Sequence, residues 1–252
     1  MQFGNNFDFA EALRALQDPW DPDRRLAAAA SISRWLAEAV ATPEQVGEAL
    51  AAHPDLVGSL VQALGDRHKG VQVHAAECLE VLAHFSPEVV PALRSALQSG
   101  DPWHAWAAAI VLARLNLWWP EMGPALAGAM GSRNRDLRWA AASLVLRLAE
   151  RYGRPLADLA MAAARDPDPV RRKMAGYLVG EMGRRQYLEA EPVLLPLLED
   201  PEPEVRRAGI LALNRQPSLS PAARERLGQI AGADPDPFVR RTAAAVLSRR
   251  PA

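Results

Sequence analysis

The chain has 252 residues, with 29 Lys and Arg against 30 Asp and Glu, so its net charge of −1 lacks the positive excess of a typical nucleic-acid-binding protein. Its longest apolar run, Ala105 to Ala113, is less than half of the about 20 residues that span a bilayer. The N-terminal segment is acidic where a signal peptide is basic. We therefore expect a cytoplasmic protein with no membrane partner. The single cysteine, Cys78, excludes an internal disulfide and a multi-thiolate zinc site.

An internal repeat of 34 residues is clearest in the C-terminal third of the chain. Closely similar segments of the form Asp-Pro-x-Pro, followed by Val-Arg-Arg, begin at Asp166, Asp200 and Asp234. When the repeats are aligned on the Val of the Val-Arg step or its counterpart, seven anchors appear: Arg24, Val71, Trp103, Leu137, Val170, Val205 and Val239. The first interval is the longest, and its surplus predicts an extra short helix near residues 43–52.

Each repeat predicts a helix, a tight turn and a second helix. Asp-Pro ends the first helix, because the residue before proline avoids the helical conformation. A second proline then suits the first turn of the next helix, with Asp168 and Asp236 as expected N-caps. Four and five residues after each anchor the side chains are small or apolar, which gives a broad stripe that needs neighbouring helices on both sides. The sequence thus predicts an all-α solenoid of about seven stacked helix pairs.

These residues resemble the HEAT repeats, in the short form found in bilin lyases, whose hallmark is an Asp-Pro turn followed by Val-Arg and small residues. The resemblance extends over residues 1–252 and implies a single HEAT-repeat domain. In that family the second-helix Arg pairs with the turn Asp of an adjacent repeat, which implies structural roles for Arg171, Arg206 and Arg240. We expect Phe3, Phe7 and Phe9 to cover one end of the stack and Arg249 and Arg250 to solvate the other.

Motifs for catalysis and for cofactor binding are missing from the sequence. There is no HExxH, GxSxG or GxGxxG, and the nearest phosphate-loop candidate, residues 65–70, lacks the Lys and Ser or Thr that should follow its second glycine. No two of the five histidines have the spacing that places ligands on one helical face. We expect no catalytic residue, no metal site and no cofactor.

The surface lined by the second helices is the expected binding site, since solenoids bind along such surfaces. Residues 1–126 hold 8 basic and 15 acidic residues (net −7), whereas residues 127–252 hold 21 and 15 (net +6). Trp106 and Trp139 also lie away from the buried stripe, where they could line the groove or instead pack on each other or on a neighbouring helix. The candidate groove residues are Trp106, Trp139, Arg147, Arg172, Lys173, Arg207, Arg215 and Arg241.

Three functions fit this pattern. The first is a non-catalytic scaffold whose groove binds another protein through an acidic segment. The second is nucleic-acid binding, resembling the alkylpurine DNA glycosylases built from HEAT-like repeats, but Ile110 and Ser143 stand where the catalytic carboxylate would be wanted. The third is a bilin-lyase-like subunit, which rests on repeat type alone and therefore does not carry activity. The scaffold is the prediction that fits the whole chain. The alternative explanation of the many arginines is that they only keep the helices soluble and form no binding surface.

Overall fold

The computed structural model describes residues 7–39 and 42–249 of the chain. Within those ranges it contains fifteen α-helices, one 3-10 turn and no β-strand, which confirms the predicted all-helical repeat fold. None of the helices in the described ranges is long and apolar enough to cross a membrane. The chain divides into two compact units, residues 1–125 and 126–252.

Unit 1 contains three helix pairs and one additional helix. The second helices of the pairs pack side by side in one layer, and the first helices pack beside them in another. The additional helix, α3, packs on α2 and lies where the long first interval of the repeat predicts it. The elements are α1 (Phe9–Leu16), α2 (Pro22–Ala39), α3 (Pro43–Ala52), α4 (Leu56–Ala63), α5 (Lys69–Leu82), α6 (Val89–Ala96), α7 (Pro102–Arg114) and a 3-10 turn (Pro120–Met122).

Unit 2 is built in the same way, with α9, α11, α13 and α15 as neighbouring second helices. Each of α10, α12 and α14 packs against the second helix that follows it. Helix α8 begins just before the boundary between the units at residue 126. The elements are α8 (Gly123–Met130), α9 (Arg135–Tyr152), α10 (Arg154–Ala163), α11 (Pro169–Arg184), α12 (Glu191–Leu197), α13 (Pro203–Asn214), α14 (Pro221–Ala233) and α15 (Pro237–Arg249).

The Asp-Pro turns explain where the second helices begin. In the turn before α11, the Asp166 carboxylate accepts a hydrogen bond from the backbone N–H of Asp168, at 2.8 Å. Asp168 is the N-cap, and its side chain accepts from the N–H of Val170. The proline at position 169 is the first helical residue, where a missing N–H costs nothing. The same turn precedes α13 and α15, so these helices start 34 residues apart.

In every second helix except α7, where it is Ala105, the fourth residue secures the turn before the helix. In unit 2 the side chain donates to backbone carbonyls five and six residues upstream, as Arg172 does to Pro167 and Asp166 at 2.9 Å each. Arg25, Arg172 and Arg206 also bind the turn aspartate of the next repeat, whereas Arg138 does not. The carbonyl anchoring is shared by Arg138, Arg172, Arg206 and Arg240, and in unit 1 by Arg25 and Gln72, each of which donates to the carbonyl of its own turn Asp.

The close packing of α11 on α13 depends on small residues. A Cβ added to Gly180 would lie 2.7 Å from the Cβ of Ala212 and 3.0 Å from its Cα. The missing side chain therefore lets the two helices approach closely over a buried interface.

At the start of unit 1, Phe9 is buried and packs edge-on against Trp35, with ring centroids 4.7 Å apart. Phe3 and Arg250, expected at the two ends of the stack, lie outside the described residues.

Candidate functional site

The exposed side chains of α9, α11, α13 and α15 form one surface of unit 2, which we call the second-helix face. Its residues recur every 34 positions, because the turns fix the start of every helix. They fall into three rows, taken from the fifth, ninth and thirteenth positions counted from the helix start. The rows are Trp139, Lys173, Arg207 and Arg241; Ser143, Tyr177, Leu211 and Ala245; and Arg147, Glu181, Arg215 and Arg249.

The first row is a line of cations that begins with an aromatic ring. Trp139 is 39% exposed, and Lys173, Arg207 and Arg241 are exposed as well. Lys173 pairs with Glu204 on the neighbouring helix, and this ammonium holds the pKa of the Glu204 carboxyl below its usual range. Arg207 makes no hydrogen bond or ion pair within the described residues, although its charge also lowers the pKa of the Glu204 carboxyl. The row therefore keeps positive charge available to a ligand.

An apolar strip runs beside these cations. The rings of Trp139 and Tyr177 meet edge to face, with centroids 4.6 Å apart, across α9 and α11. Leu211 on α13 is 42% exposed, and Phe238 at the start of α15 is 60% exposed. The guanidinium of Arg241 lies over the Phe238 ring, 4.5 Å from its centroid. Aromatic rings thus stand next to guanidinium groups on this face, an arrangement enriched at binding hot spots.

The third row limits the strip on its other side. The Arg215 guanidinium lies 5.1 Å from the centroid of the Tyr177 ring and 3.1 Å from a carboxylate oxygen of Glu181. These contacts hold Arg215 against the ring. Arg147 is exposed on α9. The structure therefore brings six of the eight candidate residues onto one face: Trp139, Arg147, Lys173, Arg207, Arg215 and Arg241.

Arg172 does not belong to this face. Its side chain is only 15% exposed, and its Nε and Nη2 bind the two carboxylate oxygens of Asp200 at 2.6 and 2.9 Å. The neighbouring Arg171, expected to be the structural partner, instead pairs with Asp166 in its own turn. The alignment on Val misassigned these two residues, because Val170 follows its proline directly whereas an extra residue precedes Val205. Position in the helix is set by the turn and not by the valine.

Trp106 also lies away from an exposed surface. It is the fifth residue of α7 in unit 1, and only 8% of its surface is exposed. The expectation that Trp106 lines a groove does not fit this burial, and the alternative of a packed indole describes it better. Helical periodicity identifies the side of a helix but not how deeply the neighbouring helices cover it, so the sequence could not separate Trp106 from Trp139.

Three residues of the second-helix face were missed in the sequence: Tyr177, Leu211 and Phe238. Tyr177 and Leu211 each lie four residues after a cation of the first row, and Phe238 lies three residues before Arg241. The 34-residue period would have placed Tyr177 and Leu211 in the same row. The contact between Trp139 and Tyr177 joins residues in different repeats, which a scan of single helices does not detect. A repeat-by-repeat comparison by helix position is the signal that could have found them.

Chemical groups for catalysis are sparse on the described parts of the chain. There, no group of three His, Cys, Asp or Glu side chains comes together to hold a metal ion. Burial raises the pKa of the Cys78 thiol to about 12, which suppresses the reactive thiolate. What the second-helix face offers is binding chemistry: fixed aromatic rings and positive charge.

Comparisons with known proteins agree with this architecture. A family model described as HEAT repeats matches residues 46–146 and 156–248. Among solved structures, the chain is similar to a mutant of Kap121p, at a TM-score of 0.62 and 16% identity over 95% of this chain and 29% of that chain. It is also similar to a chain of the Kap95:Nup1 complex, at a TM-score of 0.61 and 13% identity over 94% of this chain and 34% of that chain. It thus spans about a third of these structural relatives. No curated protein sequence matches it.

Proposed function

The chain belongs to the HEAT-repeat family, and from this premise we propose that it is a non-catalytic interaction protein. Its second-helix face in unit 2 binds an acidic segment of another protein. The observation that carries the proposal is the row of exposed cations, Lys173, Arg207 and Arg241, beside the ring pair of Trp139 and Tyr177.

The charge of unit 2 supports an acidic ligand. Residues 127–252 have a net charge of +6, although the chain as a whole is nearly neutral. Opposite charges accelerate encounter and fix orientation, and they do so less as salt is added. Because Lys173 is already paired with Glu204, Arg207 and Arg241 are the cations that a ligand meets first. We expect them to contribute mainly to association and to salt dependence.

The geometry of the repeat supports an extended ligand. Packed helices lie about 8 to 10 Å apart, so cations on successive second helices have roughly that spacing. A polyproline II segment advances about 3.1 Å per residue with about three residues per turn, so every third side chain points the same way. Such a segment with Asp or Glu at every third position would therefore meet one cation on each helix. The apolar strip beside the cations suits a hydrophobic side chain between the acidic ones.

The aromatic pair supplies the anchor. A partly exposed indole that is fixed by an edge-to-face contact can bury area on binding with little loss of side-chain entropy. Such anchors often dominate interface energies. The structural relative in the Kap95:Nup1 complex is one half of a protein complex. That likeness concerns the fold alone. The proposal of an acidic ligand is supported by the side chains of the second-helix face.

Nucleic acid is the alternative ligand for a basic face. Two carboxylates near these cations, Glu181 and Glu204, are paired with Arg215 and Lys173 and would repel a phosphate backbone and an acidic segment alike. Asp136, the acid nearest to Trp139 in sequence, lies in the first turn of α9, where its backbone N–H binds Asn134. The test below separates the two ligand classes.

The experiment is affinity capture from the native cell, followed by mass spectrometry. The bait is compared with a double variant, Arg207→Ala with Arg241→Ala, and with a matched control, Arg154→Ala with Arg165→Ala. The control removes the same charge from exposed residues of α10 and the turn that follows it, outside the three rows of the second-helix face.

The proposal expects a protein with an acidic segment that the wild type and the control capture in low salt and the double variant does not. Equal capture by all three baits would contradict it. Loss of the captured material on nuclease treatment would replace the protein ligand with nucleic acid.

A further inference from the structure

The turn between α1 and α2 exposes a tryptophan on the acidic unit 1. Trp20 is 90% exposed, the largest exposed fraction among the large apolar side chains of residues 7–39 and 42–249. Described helices flank this turn on both sides. An indole normally has most of its surface buried, because its large apolar area is costly to hydrate. Trp20 therefore offers a partner the largest uncovered apolar side chain in these ranges.

Hydrogen bonds fix this turn, which we call the Trp20 turn (residues 18–23). The Asp18 carboxylate accepts hydrogen bonds from the backbone N–H groups of Trp20 and Asp21, at 2.9 and 3.0 Å. The Asp21 carboxylate accepts from a backbone N–H in the first turn of α2, at 2.9 Å. Asp21 and Asp23 are both exposed. A fixed turn loses little conformational entropy on binding, so its indole and its two exposed carboxylates are already positioned for a partner.

The Trp20 turn complements the second-helix face of unit 2. That face has exposed cations, Arg207 and Arg241, beside the aromatic pair of Trp139 and Tyr177. The turn has two exposed carboxylates beside an exposed ring. Guanidinium–carboxylate pairs and ring contacts are both directional, so this match restricts how the two surfaces can meet. The turn therefore has the chemistry that the proposed function requires of the ligand: acidic groups around a hydrophobic side chain.

Net charge favours this contact between two copies of the chain. Residues 1–126 carry a net charge of −7 and residues 127–252 a net charge of +6, yet the whole chain carries only −1. Unit 1 of one copy and unit 2 of another therefore attract each other, while the copies as wholes repel each other only weakly. A second copy also brings the acidic, aromatic turn that an unrelated partner would have to supply.

We infer that the acidic segment bound by the second-helix face is the Trp20 turn of a second copy of this chain. The inference rests on the function proposed for that face and names its partner. Arg207 and Arg241 pair with the exposed carboxylates of the turn, and its indole packs against the ring pair. The contact is heterologous, because one copy contributes a surface of unit 1 and the other a surface of unit 2.

Trp103 provides a matched control. It also lies on unit 1 at the start of a second helix, in the first turn of α7, and is 56% exposed. Asp101, the one acidic residue within residues 99–104, is the N-cap and accepts from the Trp103 N–H at 2.9 Å. The Trp20 turn has three aspartates over the same length. Purely hydrophobic association would therefore use both tryptophans, whereas docking that also needs charge would use Trp20 alone.

The test is sedimentation velocity of the full chain over a range of concentrations, in low and in high salt. The wild type should self-associate in low salt and dissociate as salt screens the charged pairs. Trp20→Ala should weaken self-association about thirtyfold or more, as for an interface anchor. Trp103→Ala should leave it unchanged.

Mixing two defective variants tests which surfaces meet. Trp20→Ala lacks the indole of the turn but keeps the second-helix face, whereas the double variant, Arg207→Ala with Arg241→Ala, lacks two cations of the face but keeps the turn. Neither should self-associate at concentrations where the wild type does. Their mixture should form a heterodimer, because each surface is still present on one copy. A monomeric wild type, self-association of Trp20→Ala equal to that of the wild type, or no heterodimer in the mixture would overturn the inference.

The capture experiment separates a failure of this inference from a failure of the proposed function. If the wild type is monomeric but still captures an acidic protein that the double variant loses, the proposed function stands and the inference of a second copy is wrong. If all three baits capture the same material, the cations of the second-helix face bind no acidic partner, and both are wrong.

Discussion

Adjacent arginines in this chain have different roles, because consecutive residues on a helix point about 100° apart. Arg206 is buried against Asp234 and the carbonyls of its own turn, whereas Arg207, one residue later, is exposed. The same division separates Arg172 from Lys173. A sequence alignment sees only an Arg-Arg or Arg-Lys pair in each repeat, so the assignment of roles depends on counting from the turn.

Arg206→Ala is expected to lower the free energy of unfolding by about 3 kcal/mol, since it leaves Asp234 buried without its partner. Arg207→Ala should change it by less than about 0.5 kcal/mol, as usual for an exposed side chain. Urea denaturation of both variants at neutral pH measures the difference. Similar losses for both would show that the pair of Arg206 and Asp234 does not stabilise unit 2.

The turn aspartates also make stability depend on pH. Burial alone would raise the pKa of the Asp234 carboxyl, but hydrogen bonds from Arg206 and from the Asp236 N–H outweigh it and hold this pKa below its ordinary value. The pKa of the Asp200 carboxyl is lowered in the same way: burial would raise this pKa, but hydrogen bonds from Arg172 and from the Glu202 N–H outweigh the burial. The unfolded chain therefore takes up these protons at higher pH than the folded chain does.

Stability from Asp200 and Asp234 should consequently be complete above about pH 5 and decline as the pH falls through the lowered pKa values. Urea midpoints at a series of pH values measure this decline. In Arg206→Ala the slope should be shallower, because the pKa of Asp234 returns toward its ordinary value. An unchanged slope would mean that other carboxyl groups govern the acid sensitivity.

At the scale of elements, the Asp-Pro turns determine where each second helix starts, and they were the part of the fold most visible in the sequence. The extra helix at Pro43–Ala52 could likewise be read from the spacing of the repeats. The positions of Arg171 and Arg172 on their helix could not be read in this way. Val170 follows Pro169 directly, whereas in the next repeat one residue separates the proline from Val205. The depth of burial of Trp106 depends on how helices pack, which periodicity alone does not contain.

Glycines test the packing of these elements. Gly180→Ala should destabilise the protein by about 1 to 3 kcal/mol, because the new Cβ would collide with Ala212 on the adjacent helix. Gly228→Ala on α14 is the matched control, since nothing lies within 4 Å of a Cβ added there. Helix propensity should make this second change stabilising by about 0.5 to 1 kcal/mol. Thermal unfolding compares the two, and a stabilising Gly180→Ala would contradict the close contact of α11 and α13.

Trp139 tests whether the ring pair serves binding or packing. Its edge-to-face contact with Tyr177 is worth about 0.5 to 1.5 kcal/mol beyond the area it buries, and 39% of the residue is exposed, so Trp139→Ala should cost less stability than the truncation of a core aromatic. The loss of binding free energy for the acidic partner identified by affinity capture should be larger, about 2 kcal/mol or more, as for an interface anchor. A loss of stability of about 3 to 5 kcal/mol, as for a buried aromatic truncated in a core, would instead make the indole structural.

At the scale of the whole molecule, two helical-repeat units carry opposite charge. Residues 1–126 are acidic (net −7) and residues 127–252 are basic (net +6), so we assign an acidic ligand to unit 2. The sequence showed this asymmetry directly. It did not show the row that joins Tyr177 to Leu211, because their side chains differ in type and only the shared helix position relates them.

The central claim is that the second-helix face of unit 2 binds a protein, and photo-cross-linking in the native cell tests it most directly. A benzophenone amino acid is introduced at Leu211→p-benzoylphenylalanine and, as a control, at Val73→p-benzoylphenylalanine. Both positions are 42% exposed, and Val73 lies on a second helix of the acidic unit 1. We expect an adduct with a protein that carries an acidic segment at position 211 and none at position 73. A protein adduct at position 73 alone, or a nucleic-acid adduct at position 211, would contradict the account.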